Sequence, residues 1–291
     1  MTILDEGGRS AAFSAGIAVS PIGENAFRGA AQAGARRRTY GGRIAAQALL
    51  AAGATVAADR PVHSAQTSFL LPGDTSVPMD FAVGVLRDGE SFSTRSVEAV
   101  QGGRVIFTMV ASFHRRETGV GHQVAGLDGP GPEELAEVTD TFADDADTLR
   151  WALGLMNTIG AEVRFPELPV RAYAARGETT PPRQSVWMRT TGAVSDDELG
   201  QAAGVMYLSD ALLLSAALGP HGRTFQDGGI QFATLTHSVW FHAPLRVDDW
   251  FRYDQSSRWS GAARALCHGE MLDRSGRLCA TTAQEGLLRT R

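Results

Sequence analysis

The longest apolar stretch of the chain runs from Val205 to Leu218, with apolar residues on nearly every side. A helix without a polar face is one buried all round. Gly219-Pro220 directly after it predicts the stop. Inside this stretch lies one acid, Asp210. A carboxylate in such surroundings is costly unless it is hydrogen-bonded or used, so Asp210 is the first candidate for chemistry. Ser195-Asp196-Asp197-Glu198 has the form of a capping box and predicts where this helical region opens. A second stretch, residues 41–53, is rich in alanine and leucine and closes on Gly53, which predicts another core helix.

The strand pattern follows each helix. Residues 62–71, 80–86, 91–100 and 104–114 read as strands, with turn signals such as Pro72-Gly73-Asp74 and Arg87-Asp88-Gly89 between them. Residues 230–242, 250–257, 262–272 and 277–288 repeat that pattern after the Asp227-Gly228-Gly229 turn. Shorter strands are predicted within 23–32, 162–165 and 185–190. Residues 117–132 are rich in glycine and carry a proline pair, which reads as a linker, and residues 133–159 read as helical. The predicted organisation is an N-terminal unit over 1–118, a linker with a helix over 119–158, and a C-terminal unit over 159–291.

The two units share sequence. Val62-His63-Ser64 recurs as Thr236-His237-Ser238, and Gly103-Arg104-Val105 with the strand after it recurs as Gly276-Arg277-Leu278. Such internal similarity marks a duplicated structural unit. A sheet curved around one helix would bury that helix on most sides, and two such units would make a pseudo-dimer. The copies differ in their polar groups. Gln284 stands where the first copy has Ala111, and Asp210 has no acidic counterpart over 41–53. Thr234 falls near Arg60-Pro61, without a matching hydroxyl. One half then carries the chemistry and the other supports it.

Composition narrows the classes. The net charge of −5 argues against a large nucleic-acid footprint. The two cysteines, Cys267 and Cys279, build no disulfide framework and show no metal spacing. The N-terminal residues have Asp5 and Glu6 where a signal peptide is basic, no run reaches a membrane-span length, and Ser-Lys-Leu does not end the chain. A soluble, cytoplasmic protein is expected. His237 and His242 are five positions apart on one strand, hence on opposite faces, so His237 reads as a hydrogen-bonded core residue and not as a metal ligand. Arg36-Arg37-Arg38 reads as a solvated basic run, with coenzyme A phosphates the other reading. Arg264, His268 and Glu270 share one strand face as a solvated or paired stripe. No G-x-S-x-G, H-E-x-x-H, Walker loop or G-x-G-x-x-G occurs.

Several stretches resemble one family, the acyl-CoA thioesterase II family, in its order along the chain. They are Phe27-Arg28-Gly29, Tyr40-Gly41-Gly42 with Gln47-Ala48, Val62-His63-Ser64 with Phe69-Leu70-Leu71-Pro72-Gly73, and Leu86-Arg87-Asp88-Gly89-Glu90-Ser91-Phe92. They continue with Ser209-Asp210, Thr234-Leu235-Thr236-His237-Ser238-Val239-Trp240-Phe241-His242 and Gln284-Glu285-Gly286. Tyr40 departs from the usual phenylalanine and Thr236 from a frequent aspartate. The resemblance implies an α+β double hot-dog fold, two antiparallel sheets each wrapped around a central helix. It implies hydrolysis of acyl-CoA to fatty acid and coenzyme A, without a cofactor or metal, in a homo-oligomer. It assigns Asp210 as the base toward a water, with Thr234 and Gln284 orienting that water. By residue type alone Asp210 reads as a helix cap if the helix breaks at Ser209, Thr234 as a strand residue, and Gln284 as a sheet-surface residue. Met206 and Leu213 are expected walls of an acyl tunnel. The rival readings are a hot-dog enoyl-CoA hydratase and a non-catalytic acyl-CoA sensor. The hydratase motif D-x-N-P-x-H fails here because Ser215 stands five positions beyond Asp210.

Overall fold

A strand at the centre of the molecule pairs with its own repeat. The alignment of His63-Ser64 with His237-Ser238 carries Ala65 onto Val239, and in the computed structural model these two residues are partners. Ser64 pairs with Trp240 and Gln66 with Ser238 on either side, so a pseudo-twofold axis passes through the Ala65–Val239 pair. The structure describes residues 16–32, 38–124, 126, 128–192, 194–226 and 228–290. Arg36, Arg37 and Asp227 lie outside them.

The first half contributes strands β1 (Val19–Gly23), β2 (Ala26–Gly29), β3 (Val62–Phe69), β4 (Met79–Asp88), β5 (Phe92–Gln101) and β6 (Arg104–His114), with helix α1 (Gly41–Gly53) between β2 and β3. Short helix α2 (Val138–Thr141) and α3 (Ala146–Ile159) follow. The second half has β7 (Ala161–Arg164), α4 (Val170–Ala175), β8 (Arg183–Thr190), α5 (Glu198–Leu208) and a 3-10 helix (Leu213–His221). It closes with β9 (Ile230–Phe241), β10 (Phe251–Gly261), β11 (Arg264–Asp273) and β12 (Leu278–Thr290).

The strand order is β1-β2-β4-β5-β6-β3-β9-β12-β11-β10-β8-β7, one sheet of 12 strands among the described residues. It reads as the same order run outwards from the β3–β9 seam. The expectation of two separate sheets is therefore corrected. Each half alone would leave a strand edge with unpaired N–H and C=O groups. Those two edges, β3 and β9, satisfy each other along Ser64–Ser68 and Thr236–Trp240.

On the covered face α1 packs on the first-half strands and against α5, and the 3-10 helix packs on β8, β10, β11 and β12. The two helices run antiparallel at close range. A Cβ on Gly42 would lie 2.2 Å from the Tyr207 carbonyl oxygen, and one on Gly53 would lie 2.5 Å from the Leu199 side chain. At Gly42 the obstacle is backbone and only glycine fits, whereas at Gly53 the end of the Leu199 side chain would have to shift.

Three local expectations change. Asp197, not Ser195, caps α5, accepting from Gly200 N at 2.7 Å. The apolar stretch 205–218 is two helices and not one. Pro220 lies inside the 3-10 helix, whose end is Gly222 in the left-handed region at φ 56°. The span Glu198–His221 is by length and composition apolar enough to cross a membrane, which the sequence reading did not anticipate. However, 78% of its most apolar window is buried within the fold, as for a core helix.

Candidate active site

The site begins at the break between α5 and the 3-10 helix. Leu212 has φ 65°, a left-handed conformation that a leucine adopts only when its surroundings impose it. Those surroundings are side chains reaching up from the sheet. Tyr253 Oη donates to Ser209 O at 2.7 Å, Gln255 Nε2 to Ala211 O at 2.9 Å, and Gln184 Nε2 to Leu212 O at 3.0 Å. The carbonyls that leave the helical ladder thus find other donors, as buried backbone groups must. Ser209 Oγ donates to Met206 O at 3.1 Å and meets His237 Nε2 at 2.8 Å. With the serine hydrogen so engaged, the His237 Nε2–H donates to Ser209, and His237 Nδ1 is left buried without a partner among the described residues. His237 is the hydrogen-bonded core histidine expected from its strand position.

The break turns Asp210 out of the helix row, where three elements converge on it. Thr234 Oγ1 donates to Asp210 Oδ1 at 3.2 Å, and Gln284 Nε2 donates to the same oxygen at 2.8 Å. Gln284 Nε2 also lies 2.7 Å from Thr234 Oγ1. Gly42 N, in the first turn of α1, donates to Asp210 Oδ2 at 2.9 Å. Asp210 therefore does serve as a helix cap, but for the helix of the other half. Three donors occupy three of the roughly four acceptor positions of a carboxylate. Gln284 Oε1 is buried and has no partner among the described residues. Gly41 is also close-packed, since a Cβ there would sit 2.8 Å from Asp210 Oδ2 and displace the carboxylate.

Thr234 reaches this place through a bulge. Glu285 pairs with Thr236, but Gly286 pairs with Thr234, so Leu235 is an extra residue in the β9 ladder. Simple alternation from buried His237 would turn Leu235 inward. The bulge turns Thr234 inward in its place, a common use of bulges beside functional sites. Gln284 pairs with His237 one step along and is buried, which corrects its surface reading.

Asp210 and Thr234 line a cavity of about 630 Å³. Tyr40, Gly41 and Tyr207 form its wall at the start of α1, and Tyr40 Oη donates to Tyr207 O at 2.9 Å. Leu212, Leu214 and Leu218 give it an apolar side, together with Trp151 and Leu155 of α3. Two expectations change here. Met206 and Leu213 are fully buried in the core and are not among the lining residues, because the break shifts which residues of the stretch face outward. The segment read as linker helix is a wall of the site. Of the basic run, Arg38 lines the cavity.

Burial holds the His237 imidazole below its ordinary 6.5, against an opposing pull from Asp210. It pushes the hydroxyls of Tyr40 and Tyr253 above their ordinary range. It also pushes the Cys267 thiol up to about 11, which leaves almost no thiolate near neutral pH for nucleophilic attack. His242 bonds Thr281 Oγ1 at 2.8 Å, away from His237. Arg264 pairs with Glu285 on the outer face, and His268 and Glu270 are exposed beside it. Tyr253, Gln255 and Gln184 carry no motif. Their part in the site became visible only from the break that they hold.

Comparison with known proteins bears on the family and the fold. The acyl-CoA thioesterase profile matches residues 162–287, and the acyl-CoA thioesterase N-terminal domain profile matches residues 30–114. Human acyl-coenzyme A thioesterase 8 is 35% identical, over 97% of this chain and 90% of its own length. The crystal structure of an acyl-CoA thioesterase II, TesB2, from Mycobacterium marinum is 33% identical with a TM-score of 0.78, covering 96% of this chain and 98% of that one. A conserved protein with a hot dog fold from Alicyclobacillus acidocaldarius is 21% identical with a TM-score of 0.76, covering 96% and 98%, and bears on the fold alone. These likenesses define the class, a thioesterase built on the hot-dog fold. Within that class the chain belongs to the acyl-CoA thioesterase II family, enzymes that hydrolyse acyl-CoA thioesters.

Proposed function

We propose that the chain cleaves acyl-CoA by direct attack of a water held at Asp210, Thr234 and Gln284, releasing a fatty acid and coenzyme A. The observation that carries this reading is the convergence of a carboxylate, a hydroxyl and an amide from three separate elements, with the carboxylate and the hydroxyl on the wall of one cavity and the Gln284 amide buried behind them. In this reading the acceptor position left on Asp210 takes one hydrogen of the water, and Gln284 Oε1, buried and without a partner among the described residues, takes the other. Asp210 then removes a proton as the water oxygen attacks the thioester carbonyl carbon, which is general-base catalysis. The tetrahedral intermediate collapses with loss of the thiolate, and the proton is returned to sulfur. A thioester has a good leaving group, so no covalent enzyme intermediate is needed. The Gly41 amide, at the start of α1 on the cavity wall, is the donor we assign to the developing oxyanion, since the next amide, Gly42 N, is held by Asp210.

Asp210→Asn tests this reading. An asparagine keeps an acceptor for Gly42 N but cannot take a proton from water. Thiol release from acyl-CoA should fall on the order of 10²- to 10⁴-fold with the circular dichroism spectrum unchanged. Wild-type turnover in that variant would refute the mechanism.

A further inference from the structure

The cavity that exposes Asp210 is basic, although the chain has a net charge of −5. Arg38, Arg43, Arg171 and Arg223 line it, and Asp210 is the one carboxylate among its described lining residues. In the second cavity, beside the β3–β9 seam, Arg116 pairs with Glu198, and Arg246 pairs with Asp196 and Asp248. Among the described residues no such ion pair holds the four around Asp210.

One of the four is already engaged. Arg43 donates to Gly16 O at 2.7 Å and to Ala30 O at 2.8 Å. Among the described residues no carboxylate pairs with the other three. Arg171 is braced for use, since its guanidinium lies 5.7 Å from the Trp151 ring centre and donates to Gln226 Oε1 at 2.9 Å, while its buried Nε has no partner among the described residues. Gln226 N in turn donates to Thr224 Oγ1 at 3.3 Å. This loop therefore brings Arg223, exposed and next to Thr224, to the wall that carries Arg171. Arg38 lines the same cavity from the segment that leads into α1.

Ester hydrolysis at Asp210 does not call for three cations, and the acyl chain has the apolar wall of Trp151, Leu155, Leu214 and Leu218. What remains of the substrate is its anionic end. Coenzyme A carries a diphosphate and a ribose 3′-phosphate, groups that guanidinium forks match closely. We propose that Arg171, Arg223 and Arg38 form an anion subsite for the nucleotide phosphates of coenzyme A, in the same cavity as the scissile bond. This rests on the thioesterase reading and adds to it which end of the substrate these residues hold.

Three thioesters with the same acyl group test it: acyl-CoA, acyl-4′-phosphopantetheine and acyl-N-acetylcysteamine. Arg223→Ala should raise the KM for acyl-CoA about tenfold, as loss of one charge-assisted contact does, with kcat changed by no more than about twofold. The loss should be largest on acyl-CoA and absent on acyl-N-acetylcysteamine, which carries no phosphate. Arg171→Gln, which removes the charge but keeps polar groups beside Trp151, should behave alike. Adenosine 3′,5′-bisphosphate should compete with acyl-CoA in the wild type and lose that competition in the double variant. Equal losses on acyl-CoA and acyl-N-acetylcysteamine, or none on either, would overturn the subsite. A kcat/KM for acyl-4′-phosphopantetheine equal to that for acyl-CoA would overturn its assignment to the nucleotide phosphates. If the wild type cleaves none of the three, it is the thioesterase reading that fails, which is a separate outcome.

Discussion

At the scale of single residues, the site depends on small differences in shape. Thr234→Val keeps the volume and removes the hydroxyl that donates to Asp210. Turnover should fall on the order of 10²-fold, and Thr234→Ser should recover most of it; steady-state thiol release reads both. His237 makes a different prediction. Burial lowers its pKa from 6.5, and burial lowers those of His63 and His242 as well. A histidine with a depressed folded pKa takes up its proton more readily when unfolded. The stability it contributes is therefore complete above about 6.5 and declines as the pH drops through that value. Thermal melts from about pH 7.5 to about pH 5 should show that decline, and His237→Asn should make it shallower, with the shares of His63 and His242 remaining. An equally steep decline in the variant would place the proton uptake elsewhere.

At the scale of elements, the decisive feature is the interrupted helix. A continuous helix from α5 onward would have kept Asp210 in a row of core leucines. Tyr253, Gln255 and Gln184 prevent this by supplying donors to Ser209 O, Ala211 O and Leu212 O. Tyr253→Phe leaves a buried carbonyl without its partner and should cost about 1–3 kcal/mol in denaturant melts. It should also lower kcat with little change in KM, because Asp210 would be held less firmly. A variant that is destabilised yet keeps full kcat would show that the tyrosine supports the fold alone. The glycine pair that opens α1 works from the other side. Gly42→Ala places a Cβ 2.2 Å from Tyr207 O, so α1 and α5 must separate, and the Gly42–Asp210 bond goes with them. Both stability and turnover should fall together.

At the scale of the molecule, the halves are joined twice, by the β3–β9 ladder and by the α1–α5 pair. The carboxylate of one half accepts from the helix start of the other. Separate units would unfold in separate steps. Here the secondary-structure signal and thiol-release activity should be lost in one coincident transition on urea titration. Activity lost well ahead of the sheet signal would mean that the halves part first. The pseudo-twofold symmetry also shows what duplication left behind. Where α1 ends against the start of α5, a cavity of about 520 Å³ is lined by Leu50, Ala54 and Leu199, and the α1 side of it offers no acid.

Much of this was legible in the residues. The core helix over 41–53, the strand over 104–114 and the doubled pattern follow from apolar periodicity, because burial of one face is a local property of the chain. The missing counterparts of Asp210 and Gln284 singled out the second half by comparison within the chain itself. Periodicity could not place the helix break, since its cause is three polar side chains arriving from distant strands. Nor could it place Thr234, whose inward direction depends on a bulge set by pairing with Gly286. The joining of two sheets into one was likewise beyond it, because an edge strand's partner is chosen by geometry between halves. The sequence by itself thus determined which residues could do chemistry and which segments had to be buried. The tertiary structure decided how they face one another, because direction and distance arise only when remote elements supply the missing hydrogen bonds.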